Sequence, residues 1–172
     1  MFNHRTGAPA DRSPRARHGR GSGLEAATAT LARIGVSLGA QGAELFSAVD
    51  HEHVRLDSRW AMAALGDDRC PVVRDVLPLS WFPWGLGMIK PNEYVFVQNA
   101  GPLPADRDGI ATLRDLSIGS TLHIPLVESG QLRGALCVMW ADERETWSTE
   151  DYGRVCELAL SALDVSTGGT TT

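Results

Sequence analysis

The run from Ser120 to Trp140 limits the fold more than any other part of the chain. It reads as two strands joined at Ser129-Gly130, because a small polar residue followed by glycine supplies the positive φ of a tight hairpin turn. With a two-residue turn, Glu128 pairs with Gln131 and His123 falls opposite Leu136. One face then carries Thr121, His123, Pro125, Val127, Leu132, Gly134, Leu136 and Val138. The other carries Leu122, Ile124, Leu126, Ala135, Cys137 and Met139. A strand with one dry face alternates apolar and polar residues, whereas both faces here are mostly apolar. The hairpin therefore belongs in the middle of a sheet covered on both sides.

A chain of 172 residues, 43% of them hydrophobic, is long enough for one domain with a proper core. No run approaches the roughly 18 apolar residues of a membrane span. The basic N-terminal residues have no apolar segment behind them and do not read as a secretory signal. Cys70, Cys137 and Cys156 follow neither a disulfide nor a metal spacing, which suits a reducing cytoplasm. Five arginines and one aspartate make residues 1–23 basic, while the remainder of the chain is acidic, giving −5 overall. An acidic body argues against nucleic acid as a partner. The Gly, Pro, Ser and Arg content of residues 1–23 predicts a disordered leader, and residues 166–172 a disordered tail.

Order is expected from about Gly23. Leu24, Ala27, Leu31, Ile34 and Leu38 recur at spacings of three and four and form one apolar helix face, suited to packing on the chain's own sheet or against a second copy. Ala43–Val49 and His53–Trp60 bracket Asp50-His51-Glu52 as a second hairpin, whose polar tip reads as a solvated turn ahead of a metal site. Residues 61–78 read as loop and short strand. Ser80 to Lys90 holds Trp81, Phe82 and Trp84 and suggests a short helix. Glu93 to Gln98 alternates as a strand, with Tyr94, Phe96 and Gln98 on one side. Pro104 fits the first position of a helix reaching about Leu116. Near the end, Ser148 reads as an N-cap with Asp151 three residues on, and Trp147 and Tyr152 as a hydrophobic staple. Tyr152, Val155, Cys156, Ala159 and Leu163 form the buried stripe of the last helix.

This order of elements resembles GAF domains, chiefly those of bacterial sensor kinases and diguanylate cyclases. The match is carried by Ser120 through Pro125-Leu126, the Ser129-Gly130 turn, Gly134-Ala135-Leu136, Trp147 to Asp151, and Leu103-Pro104-Ala105-Asp106. It covers residues 24–165. The resemblance implies an α+β fold: a central antiparallel sheet of five or six strands, N- and C-terminal helices on one face, and a loop-covered pocket on the other. It also implies a sensor rather than an enzyme. The Cys-His pair that attaches a bilin in the phytochrome branch does not occur here. Trp140-Ala141-Asp142-Glu143 stands where the cyclic-nucleotide branch has its Asn-Lys-Phe signature. Of the cysteines, Cys70 alone precedes the central hairpin, which does not fit the free methionine sulfoxide reductases.

Candidate pocket residues are the aromatics Trp81, Phe82, Trp84, Tyr94 and Phe96, the polar pair Gln98 and Asn99, and Thr121, His123, Gly134 and Leu136 of the hairpin. His123 is the most informative, since a buried imidazole needs a partner for its N–H. Gly134 leaves room for a ligand or for a closely packed helix. No catalytic arrangement and no metal set is present in the spacing. The expected protein is a non-catalytic cytoplasmic sensory domain for an unidentified small molecule. The expected partners are a second copy through the terminal helices and a signalling output protein in trans. The rival readings are a ligand-free dimerisation module, with the Trp81–Trp84 cluster filling its cavity, and a thiol enzyme.

Overall fold

A computed structural model of the chain describes residues 18–62, 75–78, 93–98 and 118–168. Helix α1 spans His18–Ser37, starting ahead of the Gly23 expected from composition. Strands β1 (Gly42–Ala48) and β2 (His53–Ala61) form the first hairpin, followed by the short strands β3 (Val76–Pro78) and β4 (Val95–Val97). The central hairpin is β5 (Ser120–Glu128) and β6 (Gln131–Trp140), and helix α2 spans Tyr152–Thr167. Together the strands make one antiparallel six-stranded sheet in the order β3-β2-β1-β6-β5-β4. The β5–β6 hairpin thus lies inside the sheet, as its two apolar faces require. The segments holding the proposed Ser80 and Pro104 helices lie outside the described residues.

Local chemistry explains most of the element ends. Ser129 and Gly130 adopt φ of 52° and 77°, so both turn residues are left-handed and the turn follows the twist of the strands. Ser148 caps the turn that opens α2 by accepting from the Glu150 N–H at 3.3 Å. Asp151 pairs with Arg154 instead of closing a capping box. The Trp147 and Tyr152 rings meet at 6.2 Å, as a staple should. At the other end Gly168, with φ of 71°, donates its N–H to Asp164 O and stops the helix. Helix α2 therefore runs past the expected start of the tail at residue 166.

Both helices cover the same face of the sheet. Ala27, Leu31 and Ile34 of α1 and Val155, Ala159, Ala162 and Leu163 of α2 pack with Ala43, Leu45, Leu122, Ile124, Leu126, Leu136, Val138 and Trp140. The apolar face of α1 is thus spent within its own domain. Close approaches fix the helices. Gly23 comes against the Val165 carbonyl of α2, and Gly35 lies on the Trp60 ring with no room for a Cβ. Pro125 lies beyond the residues of β5 that pair with β4, so it costs no ladder bond on that side.

The central register departs from the expected one. Val127 pairs with Leu132, but Leu126 pairs with Gly134, so Arg133 is an extra residue on β6. Beyond this bulge His123 faces Cys137 and not Leu136. One inserted residue reverses the side of every later residue on β6. Gly134, Leu136 and Val138 turn toward the helices, and Ala135, Cys137 and Met139 join Thr121 and His123. Arg133 is held where it is by ion pairs to Glu128 and, at 2.9 Å, to Asp164 of α2.

Candidate functional site

The face of the sheet away from the helices carries an unusual row. Pairing runs in register from Arg59 on β2 to Glu44 on β1, Cys137 on β6, His123 on β5 and Val95 on β4. Four neighbouring strands thus place a guanidinium, a carboxylate, a thiol and an imidazole side by side. On one side it is bordered by an apolar row, Leu56, Phe46, Ala135 and Pro125, and on the other by Met139, Thr121 and Val97. Glu44, Cys137 and His123 are buried, and the Arg59 side chain is only 12% exposed.

Contacts within the row are close. Arg59 Nε is 3.5 Å from Glu44 Oε1. Thr121, fully buried, has its Oγ1 3.1 Å from His123 Nε2, 3.4 Å from Cys137 Sγ and 3.1 Å from the Val138 carbonyl oxygen. Cys137 Sγ and His123 Nε2 are 3.9 Å apart. Burial dominates the electrostatics. It raises the Glu44 carboxyl above the usual range, with Arg59 opposing the shift. Burial, reinforced by the Glu44 charge, pushes the Cys137 thiol up. It also lowers the His123 imidazole to about 3. At neutral pH the row therefore holds a neutral thiol and a neutral imidazole.

Two expected results follow. Cys137 should resist iodoacetamide in the folded protein and react only on unfolding, because the thiolate is the nucleophile and burial suppresses it. Peptide mapping checks this, and rapid native labelling of Cys137 would mark it as an activated thiol. The second concerns acid. In the fold His123 stays neutral down to about pH 3, while in the unfolded chain it takes up a proton near 6.5. Between those values the unfolded state binds more protons, so stability falls as pH is lowered through that window, by up to about 1.4 kcal/mol per pH unit for one group. Urea midpoints at pH 7.5 and 5 should fall less for His123→Asn than for wild type. Equal falls would place the acid sensitivity elsewhere.

The residues singled out from the sequence divide between the two faces. Thr121 and His123 are on the row side. Gly134 and Leu136 are on the helix side, reversed by the Arg133 bulge, and a Cβ on Gly134 would overlap the Phe46 carbonyl. Tyr94, Phe96 and Gln98 do share one side of their strand, but it is the helix side. Tyr94 stacks edge-on against Trp147 at 4.8 Å, and Phe96 against Trp140 at 6.0 Å. Gln98 donates to the Glu145 carbonyl at 2.7 Å. These five residues are committed to packing and do not line the row. Trp81, Phe82, Trp84 and Asn99 lie outside the described residues. Glu44, Arg59 and Cys137 were missed as site residues. An acid inside the apolar run Gly42-Ala43-Glu44-Leu45-Phe46 was the available signal for Glu44. At the first hairpin tip, Asp50 accepts from the Glu52 N–H at 2.7 Å and lies 3.0 Å from His53 Nδ1, which is the chemistry of a solvated turn.

No family profile and no curated protein matches the sequence. Solved structures do match. A domain of a putative two-component sensor histidine kinase from Sinorhizobium meliloti is 19% identical, with a TM-score of 0.57 over 80% of this chain and 86% of that one. The PixJ GAF domain of Thermosynechococcus elongatus, in its blue-light absorbing form, is 15% identical, with a TM-score of 0.59 over 89% and 90%. A phycocyanobilin-bound GAF domain from a cyanobacterial phytochrome is 16% identical, with a TM-score of 0.59 over 84% of both chains. The fold is that of GAF domains. Among the described residues, no helix is long and apolar enough to cross a membrane.

Proposed function

We propose that this GAF-fold chain is a sensory domain without catalytic residues, which binds a small molecule over the face carrying Arg59, Glu44, Cys137 and His123. The observation that carries the reading is that row. A sheet face needs only apolar residues to be packed over, and burying an ion pair and an imidazole costs desolvation that apolar residues would not. A few placed polar groups among apolar residues is the usual composition of a small-molecule site. The phycocyanobilin-bound fold relative is an instance of this architecture holding a ligand. The signal leaves through α1 and α2, which lie on the opposite face, α2 being tied to the central hairpin by the Arg133–Asp164 ion pair. A ligand biases those helices only through different affinity for two of their arrangements. The output is a second copy of the chain or a signalling protein in the cytoplasm.

Native mass spectrometry of protein purified from its own host, or a close relative, tests this. A reproducible extra mass that disappears on denaturation, and is reduced in Glu44→Gln or His123→Asn, is the expected result. Protein that carries no extra mass after exposure to host extract would overturn the sensory reading and favour a dimerisation module. The same spectrum counts the subunits.

A further inference from the structure

The segment between β6 and α2 is held from two sides, and a single hydroxyl makes the first attachment. Ser120, the first residue of β5, is fully buried. Its Oγ donates to the Gln98 carbonyl at 2.6 Å and accepts the Arg144 backbone N–H at 2.6 Å. A carbonyl only accepts and an amide N–H only donates, so a side chain that satisfies both at one point needs a proton and a lone pair on the same atom, as a hydroxyl has. Gln98 adds a second tie from the end of β4, its side-chain amide donating to the Glu145 carbonyl at 2.7 Å. The Arg144 side chain runs the other way. Its guanidinium lies over the Trp140 ring and donates to the Gly39 carbonyl at 3.1 Å, just past the end of α1. A cation there also meets the negative end of the helix dipole. Arg144 is thus bonded through its backbone to the β4–β5 edge and through its side chain to α1, and the chain runs on from it into α2.

We propose that Ser120 and Arg144 are positioning residues that form one joint, through which a displacement of β4 reaches the end of α1 and the start of α2 together. β4 is suited to be the moving part. It ends the strand order of the sheet, pairs with β5 over three residues, and sets Val95 opposite His123 in the candidate site. With that face read as the ligand site, on which the proposal rests, the joint is its route to both helices. Such a route is a contiguous chain of hydrogen bonds, Gln98 to Ser120 to Arg144 to Gly39, and leaves the packed core of the sheet in place. The Arg133–Asp164 ion pair is separate from it and holds the far end of α2. Without the hydroxyl, the Gln98 carbonyl and the Arg144 N–H lose their shared partner. The segment then moves toward water and draws the guanidinium off Gly39.

Amide hydrogen exchange in the full-length protein tests the joint without a ligand, with Leu45 of β1 and Leu136 of β6 as the measure of global opening. The N–H groups of Leu38, Gly39 and Ala40 bond within the end of α1 and report on it. Ser120→Ala should speed their exchange about three- to tenfold, together with that of the first bonded amides of α2. Arg144→Met keeps the backbone bond to Ser120 and should loosen the α1 end alone. In the double variant the α1 end should be no looser than in Ser120→Ala, because both changes cut the same chain of bonds. An α1 end unchanged in Ser120→Ala, additive losses in the double variant, or a rise that is equal at Leu45 and Leu136 would each overturn the proposal. Should Ser120→Ala not fold, Val95→Ala disturbs β4 instead. Its amide shifts at Leu38, Gly39 and Ala40 should appear in the wild-type background and vanish with Arg144→Met, and their persistence there overturns the joint. The expected pattern in a protein that binds nothing by mass spectrometry would sink the sensory reading and leave the joint standing. A ligand-bearing protein whose helix ends respond independently would do the reverse.

Discussion

Replacing Gly134 with alanine is expected to lower stability by about 3 kcal/mol or more, a drop in melting temperature on the order of 6–12 °C for a domain of this size. The cause is steric and local. A Cβ at residue 134 would overlap the Phe46 carbonyl oxygen, with Leu163 Cδ2 of α2 at 3.2 Å behind it. The first obstacle is backbone in a central strand, which cannot swing aside as a long side chain would. The added methyl forces β1 away from β6, or α2 away from the sheet, and either movement opens the main core. Gly153→Ala is the matched control. It lies in the first turn of α2 with nothing within 4 Å of the added methyl, and removing a helical glycine should be neutral or stabilising by about 0.5–1 kcal/mol. Urea unfolding of the two variants reads the difference. A Gly134→Ala variant within about 0.5 kcal/mol of wild type would mean that the strands are not so close.

Trp140→Ala should cost about 3–5 kcal/mol, as for other buried aromatics cut back to a methyl. The indole is 2% exposed, meets Phe96 edge-on and carries the Arg144 guanidinium at 5.7 Å from its ring centre. Its N–H donates to the Leu38 carbonyl at 3.2 Å, fastening the end of β6 to the segment that follows α1. Trp140→Phe keeps most of the packing and removes that donor, so about 1–2 kcal/mol is expected. Chemical denaturation of both variants separates the terms. Equal losses would mean that the hydrogen bond outweighs the buried area.

The central hairpin shows how far sequence reasoning reaches. Its turn was legible because the φ of Ser129 and Gly130 depends on those two residues alone. The Glu128–Gln131 pair followed from the turn. Two residues further from the turn the reading failed, since nothing local announces that Arg133 will be inserted. Its reason for being extra is distant, in Asp164 of α2 and in the bare Cα of Gly134 against β1. The parity of Tyr94, Phe96 and Gln98 was read correctly. Which layer that parity would meet was not, because their partners Trp147, Trp140 and Glu145 come about fifty residues later. The apolar run around Glu44 hinted at its burial, but that Arg59 of the next strand would lie beside it was not legible, because their pairing is set by the β1–β2 register.

Local rules in the sequence, therefore, were enough for the described strands and terminal helices, the tight turn and the Ser148 cap, which rest on residues within a few positions of one another. The antiparallel α+β class was implied by the family resemblance. Only the tertiary structure decided which side of each strand faces the helices, and with it the composition of the candidate site. Side-chain direction in a sheet has a period of two, so a single bulge exchanges the faces, and the contacts that hold a bulge in place come from the other end of the chain.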